Sequence, residues 1–91
     1  MTTSLEAKAI EEKIEQLKSH RAKLDQLRTL HLELMKRYCA VGSLLPRDVE
    51  TFDYDDEAAW ADVAMVLAEL AKIQGEMDAL RIQAAVEQSA Q

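Results

Sequence analysis

Punctuation is scarce in this chain, with two glycines and one proline among 91 residues. Glycine and proline mark the turns of sheet-rich and loop-rich folds, so their scarcity argues against barrels and sandwiches. Aromatic residues make up only 4% of the chain, and much of the apolar share is alanine and leucine, both strong helix formers. Cysteine occurs once, at Cys39, so no internal disulfide can form and no oxidising compartment is required. No apolar run approaches the ~18 residues that span a bilayer. The N-terminal stretch lacks the apolar centre of a signal peptide, because charges recur from Glu6 onward. Basic charge is also short, 11 Lys and Arg against 17 Asp and Glu, for a net charge of -6. That balance speaks against a general binder of nucleic acid or anionic membrane. The expectation is a cytoplasmic protein with no membrane contact.

What remains is helical periodicity. From about residue 4 to residue 41, apolar residues fall at Ile10, Ile14, Leu17, Leu24, Leu27, Leu34, Met35, Tyr38 and Val41, in three- and four-residue steps. Ser4 is placed to cap this helix, and Gly42 stands where a C-cap glycine belongs. A turn region, residues 42–54, follows. It holds Pro46, which forces Leu45 out of helical geometry and can open a short turn of helix. Leu44, Leu45, Val49 and Phe52 make the region too apolar for an idle linker. A second helix is expected over about residues 55–88, with carboxylates crowding its first turn in keeping with N-capping and the helix dipole. Ala59, Val63, Val66, Leu70, Ile73, Met77, Leu80 and Ala84 alternate steps of four and three without a break, which makes a heptad seam.

These patterns predict a single all-α domain of two long antiparallel helices, a coiled-coil-like helical hairpin. The two seams can be aligned so that Leu34 meets Val63, Leu27 meets Leu70, Leu24 meets Ile73 and Leu17 meets Leu80. The same alignment sets Tyr38 beside Trp60, Arg37 near Asp62 and Lys23 near Glu76. Two lone helices bury one stripe each, so completion to a four-helix bundle by dimerisation or by a partner is expected. Opposite the second seam runs a stripe of small residues, Ala61, Ala64, Ala68, Ala71 and Gly75, widened by Trp60, Leu67 and Ile82. With the turn residues Leu44, Leu45 and Phe52, this is the candidate partner-binding surface. Alanine on an exposed face also has a plain reading as the best helix former.

The chemistry-bearing residues do not converge. His20 and His31, eleven residues apart, share a helical face, but their spacing is not that of a metal pair. They read as polar breaks in the seam, beside Met77 and Val66. Cys39 has neither a base nor an oxyanion site in reach of the pattern and reads as structural. Asp48, Glu50, Asp53, Asp55, Asp56, Glu57 and Asp62 form an acidic run without the glycine and bidentate glutamate of a calcium loop. No phosphate loop, zinc set or nucleophile elbow appears. No catalytic, cofactor or metal residue is therefore assigned, and the chain is expected not to be an enzyme.

Charge divides the chain unevenly. Residues 1–47 carry nine basic and six acidic side chains, and residues 48–91 carry two and eleven. The leading expectation is a protein–protein interaction module, whether adaptor, small chaperone or inhibitor, acting through helix–helix packing with itself or with a helical or basic partner. The alternative is an acidic inhibitor that mimics nucleic acid and blocks a basic site, with Asp53, Asp55, Asp56, Glu57 and Asp62 as its docking groups. Direct nucleic-acid contact through Lys18, Arg21, Lys23, Arg28, Lys36 and Arg37 ranks last, because the second-helix acids compete for those groups.

Overall fold

Alanine, leucine and glutamate recur through both periodic stretches, and with no proline inside either the backbone runs helical throughout. The computed structural model describes residues 2–89 and side-chain exposure from Leu5 to Ser89. Helix α1 spans Thr2–Gly42 and helix α2 spans Glu57–Ser89. They pack against each other as a hairpin, and no strand occurs among the described residues. The rod measures 82 × 16 × 15 Å, with a radius of gyration of 22.6 Å. A compact chain of this length would have roughly 12 Å, so the core is a line rather than a ball.

The helix ends differ from the sequence expectation in small, explicable ways. Ser4 lies inside α1, which already runs from Thr2. Gly42 is the last helical residue, and no glycine has a positive φ among the described residues. The helix instead tightens as it ends: Leu44 N–H donates to Val41 O at 3.0 Å and Leu45 N–H to Gly42 O at 3.1 Å. Pro46 opens no helical turn. Residues 43–56 form bends and turns, held by Asp48, whose carboxylate accepts the Glu50 N–H at 3.0 Å. Asp53 does the same for Asp55 N–H at 3.1 Å, which keeps these residues out of α2. Asp56 is the N-cap. Its carboxylate accepts the Ala58 N–H at 3.0 Å and its carbonyl accepts the Trp60 N–H.

All eight predicted seam residues of α2 face inward. Leu70, Ile73 and Met77 are buried, and Ala59, Val63, Val66, Leu80 and Ala84 are half-buried. On α1 the half-buried seam is His20, Leu24, Leu27, His31, Leu34, Tyr38 and Val41. Met35, expected in the seam, is exposed on the flank, because Leu34 beside it occupies the inward position.

The register is not the one the two patterns suggested. Arg37 Nη2 meets Glu69 Oε1 at 2.7 Å, and His20 Nδ1 meets Glu87 Oε1 at 3.1 Å. Facing residue numbers therefore add to 106 or 107, which places Leu34 level with Ile73 and Leu27 level with Leu80. The expected pairs Leu34–Val63, Leu27–Leu70, Leu24–Ile73 and Leu17–Leu80 are displaced by about ten residues. Arg37 pairs with Glu69 instead of Asp62, and Lys23 lies 4.0 Å from Glu87 instead of near Glu76. Trp60 contacts Phe52 and Tyr54 instead of Tyr38. The cause is the connecting segment. It folds over the first two turns of α2, so α1 pairs only with what lies beyond them.

A consequence appears at the opposite end. Ser89 of α2 comes level with about residue 18 of α1 in this register. The first four or so turns of α1 extend past α2, and residues 5–19 are all exposed, Ile10, Ile14 and Leu17 among them.

Candidate interaction surfaces

At 100° per residue, two apolar lines run along α2 about half a turn apart. One is the seam. The other is Trp60, Ala61, Ala64, Leu67, Ala68, Ala71 and Gly75, every one exposed. The line continues through Ala79, Ile82 and Val86, with Ile82 65% and Val86 62% exposed. Sequence reasoning missed Val86, although its place four residues after Ile82 was the signal. Each face of such a helix loses contact with water only against a neighbour. The hairpin covers one of them.

The turn residues divide. Leu44 is exposed, whereas Leu45 and Phe52 are half-buried. Leu45, Pro46, Val49, Phe52, Tyr54, Trp60 and Val63 line a recess of about 240 Å³. The Phe52 ring meets Tyr54 and Trp60 edge-on at 5.2 and 5.1 Å, a favourable aromatic geometry. Leu45 and Phe52 thus pack the connecting segment onto α2, and Trp60 serves both this cluster and the outer face.

The acidic candidates Asp53, Asp55, Asp56, Glu57 and Asp62 are exposed, and none joins an ion pair among the described residues. Asp53 and Asp56 are committed to backbone N–H groups. Asp55, Glu57 and Asp62 are the freer carboxylates.

The two flanks of the hairpin are unlike. One carries the cross-helix pairs Arg37–Glu69 and Lys23–Glu87, and a groove of about 490 Å³ there is lined by Leu30, Glu33, Leu34, Arg37, Glu76, Ala79 and Leu80. On the other, Arg28 and Arg81 border a groove of about 270 Å³ floored by Leu24, Leu27, Leu80 and Ala84. His31 borders the same groove, and its Nε2 is buried without a hydrogen-bond partner. The histidines do lie in the seam, but His20 faces Glu87 rather than Met77, and His31 lies near Leu80 rather than Val66. Cys39 is exposed. No group of three or more His, Cys, Asp or Glu side chains could hold a metal ion among the described residues, and no helix there is long and apolar enough to cross a membrane.

Compared with known proteins, the chain matches no family model, no curated protein and no solved structure at a significant level.

Proposed function

We propose that this hairpin is a non-enzymatic protein–protein interaction module, an adaptor, small chaperone or inhibitor, that works by helix–helix packing on the outer face of α2. The observation that carries the reading is the second apolar line of α2, uncovered from Trp60 to Val86. No charged side chain interrupts that line between Glu57 and Asp78. Its small residues let a partner backbone come close, and Trp60, Leu67, Ile82 and Val86 supply apolar area at about 25 cal/mol per Å² buried. Leu44, 70% exposed in the connecting segment, leaves further apolar surface uncovered. The test is Ala68→Glu and Ala64→Arg, with circular dichroism to follow helicity and sedimentation to follow association. Loss of association at unchanged helicity is the expected result. Variants that associate as wild type would reduce the outer face to solvated surface.

A second reading rests on the acids of the turn end, which have no ion-pair partner among the described residues. Here the hairpin is an acidic inhibitor that occupies a basic nucleic-acid site, with Asp55, Glu57 and Asp62 as its main contacts and Asp53 and Asp56 in support. Contacts of that kind are exposed and screened by salt. Binding to a basic target that persists unchanged between low and high salt rules this reading out.

A further inference from the structure

The arginine-bearing flank has a composition that the ion-paired flank lacks. On α1 it presents Arg28, Leu32, Met35 and Cys39, spaced by four, three and four residues and all exposed. On α2 it presents Leu67, Ala71, Gln74, Asp78 and Arg81, again at steps of four and three. Leu32 is 51% and Leu67 52% exposed. Arg28 has no acidic partner among the described residues, while Asp78 holds Arg81 one turn on at 3.4 Å. The helices also differ in sign. α1 carries eight basic and six acidic side chains, and α2 carries two and six.

Building on the interaction-module reading, we propose that the occupant of this flank is a second copy of the chain, related by a two-fold axis parallel to the helices. In that arrangement α1 of each copy lies against α2 of the other, antiparallel. Net-basic helix then meets net-acidic helix at both contacts. A two-fold axis perpendicular to the helices would instead set α1 on α1 and α2 on α2, like sign on like.

The levels leave nothing to adjust. A rotation about an axis parallel to the rod keeps every residue at its own height. Facing residues across the new interface therefore obey the same relation as within the hairpin, with numbers adding to about 106. Arg28 comes level with Asp78 of the second copy, an unpaired arginine opposite the only carboxylate in the α2 line. Met35 comes level with Ala71, Leu32 with Gln74 and Gly75, and Cys39 with Leu67. Arg28 and Met35 thus face smaller α2 residues, and the small Cys39 faces the larger Leu67. The paired part of the rod is about 35 Å long at ~1.5 Å per residue. A flank two helices wide over that length covers roughly 700 Å² per copy, close to the ~800 Å² per partner of a standard interface.

The test uses the full chain and two charge reversals, Arg28→Glu and Asp78→Arg, followed by sedimentation equilibrium at low salt. Wild type is expected to dimerise. Each variant alone sets like charges together twice per dimer and is expected to dimerise at least about tenfold more weakly. An equimolar mixture is expected to recover wild-type affinity, because each mixed dimer contains one native and one reversed pair, both attractive. A purely structural role for either residue cannot produce rescue between chains. A monomeric wild type with full helicity overturns the second copy as occupant. A dimer insensitive to both reversals, or a mixture without rescue, overturns this flank as the contact. The outer-face reading fails separately: Ala68→Glu, about a quarter turn from the proposed contact, is expected to leave this dimer intact and to remove only association beyond it.

Discussion

Trp60 donates its indole N–H to the backbone carbonyl of Tyr54 over 2.8 Å, tying α2 to the segment that precedes it. With Phe52 wedged against both rings, this bond fixes where the connecting segment lies and hence where α1 stops pairing. Phe52→Ala removes the wedge and is expected to cost about 1–3 kcal/mol, below the range for a fully enclosed Phe. Limited proteolysis within residues 43–56 should accelerate in parallel, and a variant as resistant as wild type would show that the rings are not what holds the segment.

Ile73 is 0% exposed and sits at the centre of the line of buried residues. Ile73→Ala is expected to lose about 2–5 kcal/mol, enough to unfold a large part of the population in a chain with so thin a core. Met65→Ala, at a site 72% exposed, is expected to change stability by no more than about 0.5 kcal/mol. Urea melts of the two variants against wild type make the comparison.

His31 offers a gain. Its Nε2 is buried with no partner, and an unsatisfied polar group costs about 1–3 kcal/mol. His31→Leu keeps the seam filled and removes the stranded nitrogen, so a rise in stability of about 1 kcal/mol or more is expected by thermal or urea melting. A fall would mean that the imidazole contributes packing a leucine cannot match.

Gly75 lies in the interior of α2, and a methyl group there meets nothing within 4 Å. Gly75→Ala is expected to stabilise the helix by about 1 kcal/mol, raising Tm by roughly 4–8 °C for a chain of this size. At Gly42 the gain should be smaller. That glycine ends α1, and an added methyl would touch Leu70 Cδ2 at 3.9 Å.

The seam of α2 was legible to the residue, because an unbroken alternation of four and three has one inward face. The hairpin was legible too, from two such stretches joined by a segment holding the only proline. The register was not. A seam of fours and threes looks nearly the same after a slide of ten residues, one heptad and one further step, so hydrophobic pattern alone cannot rank the alignments. Charge did not rescue it, since Arg37 and Lys23 find a carboxylate in either alignment. What decides is how Phe52, Tyr54 and Trp60 pack, which residue spacing does not report. Met35 was misplaced for a related reason, as the neighbour of Leu34 with equal claim to the seam until the register is known. The small-residue line of α2 shares one exposed face, as its spacing on a helix requires, whereas the role of Leu45 and Phe52 within the connecting segment needed the fold.

The register also sets the order in which the chain can assemble. The contact Arg37–Glu69 closes 32 residues and His20–Glu87 closes 67. Each doubling of a loop adds about 0.6 kcal/mol of closure entropy, so pairing that starts at the aromatic turn and zips outward pays that entropy in the smallest steps. Lesions near Trp60 should therefore slow folding, and lesions near Leu24 and Ala84 should hasten unfolding instead. The aromatic turn is thus a starting point in time as well as a hinge in space.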